Sequence, residues 1–369
     1  MTSACPASKT DPPKADELEV SLFGPGKGEC IVVHLGSGDL MIIDSFLVGG
    51  KPVALEYLRS LNVDVAKHVK LVVVSHWHDD HIRGVSDIVR EAVSGEIVLS
   101  AALMNEEFFT LVGLQDGNKM VANDSGLSEF SELLEVLNDG KTGRYRVGPD
   151  RWVVEGVALY KHPVNAVEVM ALSPSSQTLT DAQGELAKLI PKAGAAVHQF
   201  VRPEPNRLSV VIHVSFPKGG FLLGGDLEVG ADNRRGWKAI VQLAVQPEKA
   251  GVFKIAHHGS PYADFDGVWQ QLLVQTDPVA IIAPYAGGRT PRPSASDAKR
   301  ILSRTSEAYC TIWPLNFQPV RRKSVATTLK NATRWHRAVA TAPGHIRVRA
   351  TLNDPDLRLK LIDGASKLC

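Results

Sequence analysis

The sequence predicts an α/β (α+β) fold in which two mixed sheets pack together with helices on the outside. Strand-like and helical segments alternate along the 369 residues in two similar halves, and this order is typical of helices layered on sheets. A hydrophobic fraction of 44% with 22% charged residues is that of a globular protein with a sizeable core.

The first half opens with a predicted meander of three strands. The strand-like runs, separated by the turn sequences GPGKG and GSGD, are 17–23, 29–35 and 40–46. Residues 51–61 then have helical spacing, an apolar strand occupies 70–75, and apolar residues from Ile82 onward mark an amphipathic helix. Glycine-rich turns between apolar runs favour antiparallel strands, and the later spacings of three and four favour helices.

The second half repeats this pattern after a predicted insertion at 175–205, which contains an amphipathic helix near 180–191. The elements expected after it are strands 208–216 and 219–226, helix 230–244, strands 252–256 and 279–283, helix 294–304, and a strand pair at 345–352 and 357–362. Pattern alone supports mixed sheets with helices and no finer class.

Composition argues against a disulfide-rich protein and against a membrane-spanning one. The four cysteines have no close spacing and the net charge is +1, which argues against a disulfide framework and against a global field for nucleic acid. No apolar run approaches 18 residues, so we expect a cytoplasmic protein without a membrane partner. The predicted organisation is a disordered leader at 1–17, a domain at 18–310, and a C-terminal extension at 311–369 packed on that domain.

The sequence HWHDDH (76–81) follows the apolar strand directly. Side chains two apart on an extended backbone point the same way, so His76 and His78 can reach one point. Asp80 and His81 fall at the start of the next helix, where an aspartate is favoured. Three imidazoles and a carboxylate suit zinc and tolerate manganese or iron. The motif therefore predicts a metal site.

The same motif resembles the signature of the metallo-β-lactamase fold metallohydrolase superfamily. Three further segments match that family in order: LMIID ending at Asp44, FLLGGD ending at Asp226, and FKIAHHGS with its two histidines. With Asn206 and Ser209 upstream of FLLGGD, the chain is most similar to the hydrolase domain of bacterial competence (DNA-uptake) proteins. The resemblance spans roughly residues 17–310 and implies a four-layer αββα sandwich of the metallo-β-lactamase type.

The resemblance also implies a site for two divalent metal ions, zinc first and manganese as the alternative. Carried over position by position, the ligands are His76 and His78 for the first metal, Asp80 and His81 for the second, Asp226 as a bridge, and His257 or His258 to complete the second site. The alignment of the His-Gly step favours His258, which leaves His257 as a supporting or substrate-contacting residue.

Two positions depart from the family pattern. Asn206 stands where many relatives have a first-site histidine. It would ligate weakly through its carbonyl oxygen or hold a water, and either case shifts preference from zinc toward manganese. Arg292 stands where relatives have a further histidine and, if it faces the cleft, would contact phosphate or carboxylate. Ser260 is either a helix cap or a substrate contact.

The function predicted from these residues is hydrolysis by a metal-activated water. Asp80 and Asp226 would orient that water, and His257 or a second water would protonate the leaving group. The expected substrate is a phosphodiester, either in nucleic acid or in a cyclic nucleotide. The alternatives are another ester, lactone, lactam or thioester, and a non-catalytic metal-binding module of the same fold. The basic stretches 320–324 and 334–337 are either a solvated face or a nucleic-acid contact. The oligomeric state is not predicted.

Overall fold

The structure is a computed structural model that describes residues 11–24, 27–101, 125–138, 151–189, 204–244, 247–287, 290–313, 328, 332 and 343–369. Residues 1–10 of the predicted leader and the basic stretches 320–324 and 334–337 lie outside the described residues, so their roles stay predictions. Among the helices of the described part, none has the length and apolar character needed to cross a membrane.

The first sheet contains the N-terminal meander and the C-terminal strand pair. Its strands from the first half of the chain are β1 (Glu17–Gly24), β2 (Cys30–His34), β3 (Leu40–Ile43), β6 (Val69–Val74), β7 (Glu96–Ser100) and β8 (Arg151–Val153). Its C-terminal pair is β16 (Gly344–Thr351) and β17 (Asp354–Ile362). A separate two-stranded sheet is formed by β4 (Leu47–Val48) and β5 (Lys51–Pro52). The strand order in the first sheet is β17-β16-β1-β2-β3-β6-β7-β8. Pairing is parallel from β3 to β8, so β3 and β6 end at the same edge.

The second sheet also has eight strands. They are β9 (Val157–Lys161), β10 (Glu168–Ala171), β11 (Ile212–Phe216), β12 (Gly219–Leu223), β13 (Val252–Lys254), β14 (Val279–Ile282), β15 (Ala308–Cys310) and β18 (Ser366–Lys367). Their order is β18-β15-β14-β13-β12-β11-β10-β9, with parallel pairing from β12 to β15. The last residues of the chain therefore contribute strands to both sheets.

Helices form near the predicted positions 51–61, 180–191 and 294–304, and two other predicted helices differ from expectation. The helices are α1 (Val53–Ser60), α2 (Val65–His68), α3 (Asp79–Ile82), α4 (Val85–Glu91), α5 (Ser125–Asn138), α6 (Ser176–Leu189), α7 (Gly236–Ile240) and α8 (Ala295–Leu302). The helix expected from Ile82 is divided at Gly84, which has a φ of 79°. The helix expected at 230–244 is reduced to the short α7. Its first residue, Gly236, adopts a φ of 58°, and this angle prevents a right-handed helix from extending back to residue 230.

Alternate residues of the strands pack into different layers. Leu71 and Val73 of β6 lie in the apolar core between the two sheets, whereas Val72 and Val74 pack against the helices of the first half. A third apolar cluster, which includes the fully buried Trp237, covers the outer face of the second sheet. Because successive strand residues point to opposite faces, these three clusters separate four layers. The predicted αββα sandwich is therefore confirmed.

Candidate metal centre

The first two histidines of the motif converge immediately after β6. His76 is 1% exposed, and its Nε2 atom lies 3.1 Å from Nδ1 of His78. The backbone at His78 is extended (φ −68°, ψ 146°), so the two rings project to the same side as the sequence predicts. The structure thus brings together the two residues expected to hold the first metal.

Asp80 and His81 lie in the single turn of α3. Both side chains are buried, and His81 Nε2 is 3.7 Å from Asp80 Oδ2. His78 occupies the N-cap position of this turn, so α3 follows the extended segment without a gap. The change from extended to helical backbone turns all four side chains of the motif toward one interior point.

Asp226 enters from the second sheet, three residues after the end of β12. Its Oδ2 atom lies 3.4 Å from Nε2 of both His81 and His258, and 4.0 Å from Nε2 of His76. Its backbone N–H donates to Ser209 Oγ at 2.9 Å. The carboxylate therefore lies between the two groups of histidines, where the resemblance places a bridging ligand.

The two histidines after β13 point in different directions. His258 Nδ1 donates to the carbonyl oxygen of Ala283 at 2.9 Å, and a carbonyl can only accept. The opposite nitrogen, Nε2, is left facing Asp80 Oδ2 at 3.2 Å. By contrast, His257 Nε2 lies 3.2 Å from Asn206 Nδ2, and its Nδ1 is 3.6 Å from Glu228 Oε1. The structure brings His258 to the carboxylates and His257 to Asn206.

Asp44, just after β3, accepts hydrogen bonds that orient the histidines of the centre. Its carboxylate accepts hydrogen bonds from Ser75 N at 2.7 Å, Ser75 Oγ at 2.6 Å and His81 Nδ1 at 2.7 Å. Because the Ser75 hydroxyl donates to Asp44, its oxygen accepts from His76 Nδ1 at 2.9 Å. Both His76 and His81 are thereby oriented with Nε2 toward the centre. Partners of this kind fix the tautomer and ring orientation of metal-binding histidines.

The electrostatics of the centre fit a cation. Burial alone would lower the pKa of His81, but Asp226 and Asp80 outweigh it and raise that pKa well above its usual range. Burial favours the neutral form of Asp226, yet the imidazoles of His258 and His81 hold its pKa well below the usual range. Protons on the imidazole rings therefore neutralise the negative charge of the carboxylates, as a divalent cation would. Binding of a metal ion would release these protons.

Buried polar atoms without hydrogen-bond partners point to the same conclusion. Within the described ranges, His81 Nε2 and Asp226 Oδ1 are buried without a hydrogen-bond partner. Burial, followed by repulsion from His81 and His78, lowers the pKa of His76 well below its usual range, so its ring is neutral and able to ligate. Imidazole nitrogens and carboxylate oxygens are the donor set of zinc and related divalent metals. The residues present fit the implied ions.

Two buried charged residues in this region, Glu29 and Lys254, were not predicted from the sequence. Glu29, His81, Asp226 and His258 each offer a ligand atom, and these four atoms lie within 4.8 Å of one another. Glu29 also forms an ion pair with Lys254, which is 0% exposed. The available signal was a charged residue at the border of an apolar run, in GECIVV and in VFKIA. Such residues are almost never fully buried without a partner.

The remaining predicted residues lie at the margin. Ser260 Oγ caps the turn Pro261–Ala263 by accepting from Tyr262 N, which is the capping role considered from the sequence. The guanidinium of Arg292 donates to Asp297 Oδ2 at 2.6 Å, so it is committed to an ion pair. His213 is buried in β11, as expected for a core histidine.

A cavity of about 390 Å³ borders the centre. Its lining includes Trp77 from the histidine motif, Arg207 beside Asn206, Glu228 beside His257, and the largely exposed Tyr262. The cavity thus offers both apolar and charged contacts beside residues that neighbour the candidate ligands.

Comparison with known families identifies part of the chain. Residues 23–121 match the family model of the Metallo-beta-lactamase superfamily, and this stretch contains Asp44 and the motif 76–81. This part of the chain is therefore similar to the Metallo-beta-lactamase superfamily. No curated protein matches the chain. The similarity to competence proteins, a finer assignment, stays a prediction.

The solved structures that resemble this chain are distant. A subclass B3 metallo-beta-lactamase isolated from a soil metagenome library is 14% identical, covering 69% of this chain and 83% of its own, with a TM-score of 0.32. The metallo-beta-lactamase fold protein YhfI from Bacillus subtilis is 11% identical, covering 79% of this chain and 95% of its own, with a TM-score of 0.40.

Proposed function

We propose that this protein is a metal-dependent hydrolase that cleaves a phosphodiester, in nucleic acid or in a cyclic nucleotide, at a centre for two divalent cations. The observation that carries the hydrolase assignment is the convergence of imidazole and carboxylate atoms from both sheets on one buried point. The converging residues are His76, His78, Asp80, His81, Asp226 and His258. The chemistry that two divalent cations supply at such a site is a water of lowered pKa and stabilisation of developing negative charge.

The residues of the chain then have distinct tasks. The carboxylates of Asp80 and Asp226 orient the attacking water by accepting its hydrogen bonds. We assign His257, whose side chain is 23% exposed beside Glu228, to protonate the leaving group. No serine or cysteine nucleophile is required.

Support for a phosphodiester comes from the sequence of the first site. Asn206 stands where many lactam-cleaving relatives have a histidine, and the pattern around it is most similar to the hydrolase domain of competence proteins. An amide oxygen suits manganese better than zinc. Zinc and manganese are therefore both candidate ions. The rival assignment is hydrolysis of a lactam, lactone or thioester by the same centre.

The matched substitutions Asp80→Asn, Asp226→Asn and Asp79→Asn test this function. We expect hydrolysis of bis-nitrophenyl phosphate, with zinc or with manganese, to fall by about 10²–10⁴-fold in the first two variants, because each loses a carboxylate beside the reacting centre. Asp79 pairs with Arg83 at the surface, so Asp79→Asn should keep its activity while controlling for charge and helix position.

A chromogenic β-lactam is assayed beside the phosphodiester under the same conditions. Turnover of the lactam without the phosphodiester would overturn the substrate assignment and leave the hydrolase assignment intact. Full activity in Asp80→Asn or Asp226→Asn would contradict the metal centre. Metal analysis finding less than one bound ion per chain would favour the non-catalytic module.

A further inference from the structure

A buried ion pair links the two sheets directly behind the candidate ligands. Lys254, the last residue of β13, is 0% exposed and Glu29, just before β2, is 1% exposed. The Lys254 ammonium pairs with Glu29 Oε1 and donates to the carbonyl oxygen of Gly225 at 2.9 Å. Removing one partner of such a pair leaves an uncompensated charge in the interior, so the two side chains depend on each other.

Glu29 lies on the far side of the histidine rings from the centre. Its Oε2 atom is 3.5 Å from His258 Nδ1, and its Oε1 atom is 3.8 Å from His81 Nδ1. The Nε2 atoms of the same rings face Asp226 at 3.4 Å. Because the two nitrogens of an imidazole point away from each other, a cation held at Nε2 lies across the rings from Glu29. The proximity of Glu29 to the ligand atoms therefore does not make it a ligand.

The pair reaches the backbone of the other two ligands as well. The Glu29 N–H donates to the carbonyl oxygen of Asp80 at 2.9 Å, and Lys254 holds the carbonyl of Gly225, the residue before Asp226. One end of the pair thus belongs to the first sheet with Asp80 and the other to the second sheet with Asp226. A change in their separation would move ligands from the two sheets relative to each other.

We propose that Glu29 and Lys254 are a positioning pair that sets the spacing of the second-metal ligands contributed by the two sheets. The proposal rests on the proposed function, because it presupposes the metal centre. Outer partners of metal ligands typically contribute 10–100-fold to metal affinity. The pair should therefore increase the affinity for the second ion, and it should affect catalysis only because the second ion is bound.

The test uses Glu29→Gln, Lys254→Met and the double variant in the full-length protein. Titration calorimetry with Mn²⁺ and with Zn²⁺, together with metal stoichiometry, gives the affinity for each ion, and a thermal melt in EDTA gives the stability of the metal-free fold. We expect each single variant to bind the second ion about 10–100-fold more weakly. The double variant, which has no uncompensated charge, should melt above Lys254→Met yet still bind the second ion weakly.

Glu19 and Arg349 supply a matched control. They form a buried pair at 2.5 Å between β1 and β16, and Glu19→Gln with Arg349→Met should lower the melting temperature without changing either metal affinity. Unchanged second-ion affinity in the Glu29/Lys254 double variant would reduce the pair to a stabilising role and overturn the proposal.

Two other outcomes have separate meanings. Loss of the second ion in Glu29→Gln, with unchanged or tighter binding in Lys254→Met, would make Glu29 a direct ligand and overturn the proposal. Fewer than two ions bound by the unsubstituted protein would contradict the proposed function itself, and the positioning proposal with it.

Discussion

Three non-glycine residues of the candidate centre have left-handed backbone conformations. Their φ angles are 60° at Asp44, 48° at His257 and 53° at His258. Such conformations cost on the order of 1–3 kcal/mol each and persist where the surroundings impose them. At Asp44 the surroundings are the hydrogen bonds to Ser75 and His81. The strain therefore coincides with the residues that orient or supply candidate ligand atoms.

His213 provides a residue-scale prediction away from the metal centre. Burial lowers its pKa to about 4, below the usual value near 6.5 for an unfolded chain. Between pH 6.5 and pH 4 the unfolded chain binds a proton that the folded protein does not. Stability is therefore lost as the pH falls through this window, by about 3 kcal/mol in all. His213→Leu should remove this part of the pH dependence.

The measurement is urea unfolding in EDTA at several pH values between 7 and 4. The unsubstituted protein should lose more free energy of unfolding across the window than His213→Leu, whatever their difference at pH 7. EDTA keeps bound metal from adding its own pH dependence. Parallel curves for the two proteins would show that the His213 ring is protonated in the fold or reaches solvent.

At the scale of elements, the sequence predicts those features that are set by residues close together in the chain. The motif 76–81 could be predicted as a metal site because a strand end and one helical turn are enough to bring His76 and His78 together. The ion pair of Glu29 and Lys254 could not be predicted, since each is a single charge beside an apolar run and their pairing requires the two sheets to pack. The short α7 was missed for a further reason. Apolar spacing favours a helix at 230–244, but the backbone at Gly236 cannot continue one.

The break between α3 and α4 provides an element-scale prediction. Gly84 has a φ of 79°, and a Cβ there would lie 2.4 Å from Leu47 Cδ2 and 3.1 Å from Pro52 Cγ. Gly84→Ala should lower the free energy of unfolding by about 1–3 kcal/mol and weaken metal binding, because α3 carries Asp80 and His81. Urea unfolding and metal titration measure the two effects.

Gly156 is the matched control, since it has the same φ of 79° but no atom within 4 Å of an added Cβ. Gly156→Ala should show the backbone cost alone and leave metal affinity unchanged. Leu47→Ala combined with Gly84→Ala should recover the difference between the two glycine variants, as expected for coupled neighbours. Equal losses in Gly84→Ala and Gly156→Ala would contradict the steric explanation.

At the scale of the whole molecule, the candidate centre depends on the packing of one sheet on the other. His76, His78, Asp80 and His81 come from the first sheet, whereas Asp226 and His258 come from the second. The C-terminal strands join both halves, because β16 pairs with β1 and β18 pairs with β15. Stability of the inter-sheet core should therefore depend on the C-terminal strands.

Ile346 in β16 tests this dependence. Its side chain is fully buried between the sheets, and its neighbour in register, Leu361 of β17, is 37% exposed. Ile346→Ala should lower the free energy of unfolding by about 2–5 kcal/mol, whereas Leu361→Ala should cost less than about 1 kcal/mol. Because metal binds only the folded state, saturating zinc or manganese should raise the unfolding midpoint of both variants. A loss in Ile346→Ala no larger than in Leu361→Ala would mean that the C-terminal strands cover the sheet edge without supporting the core.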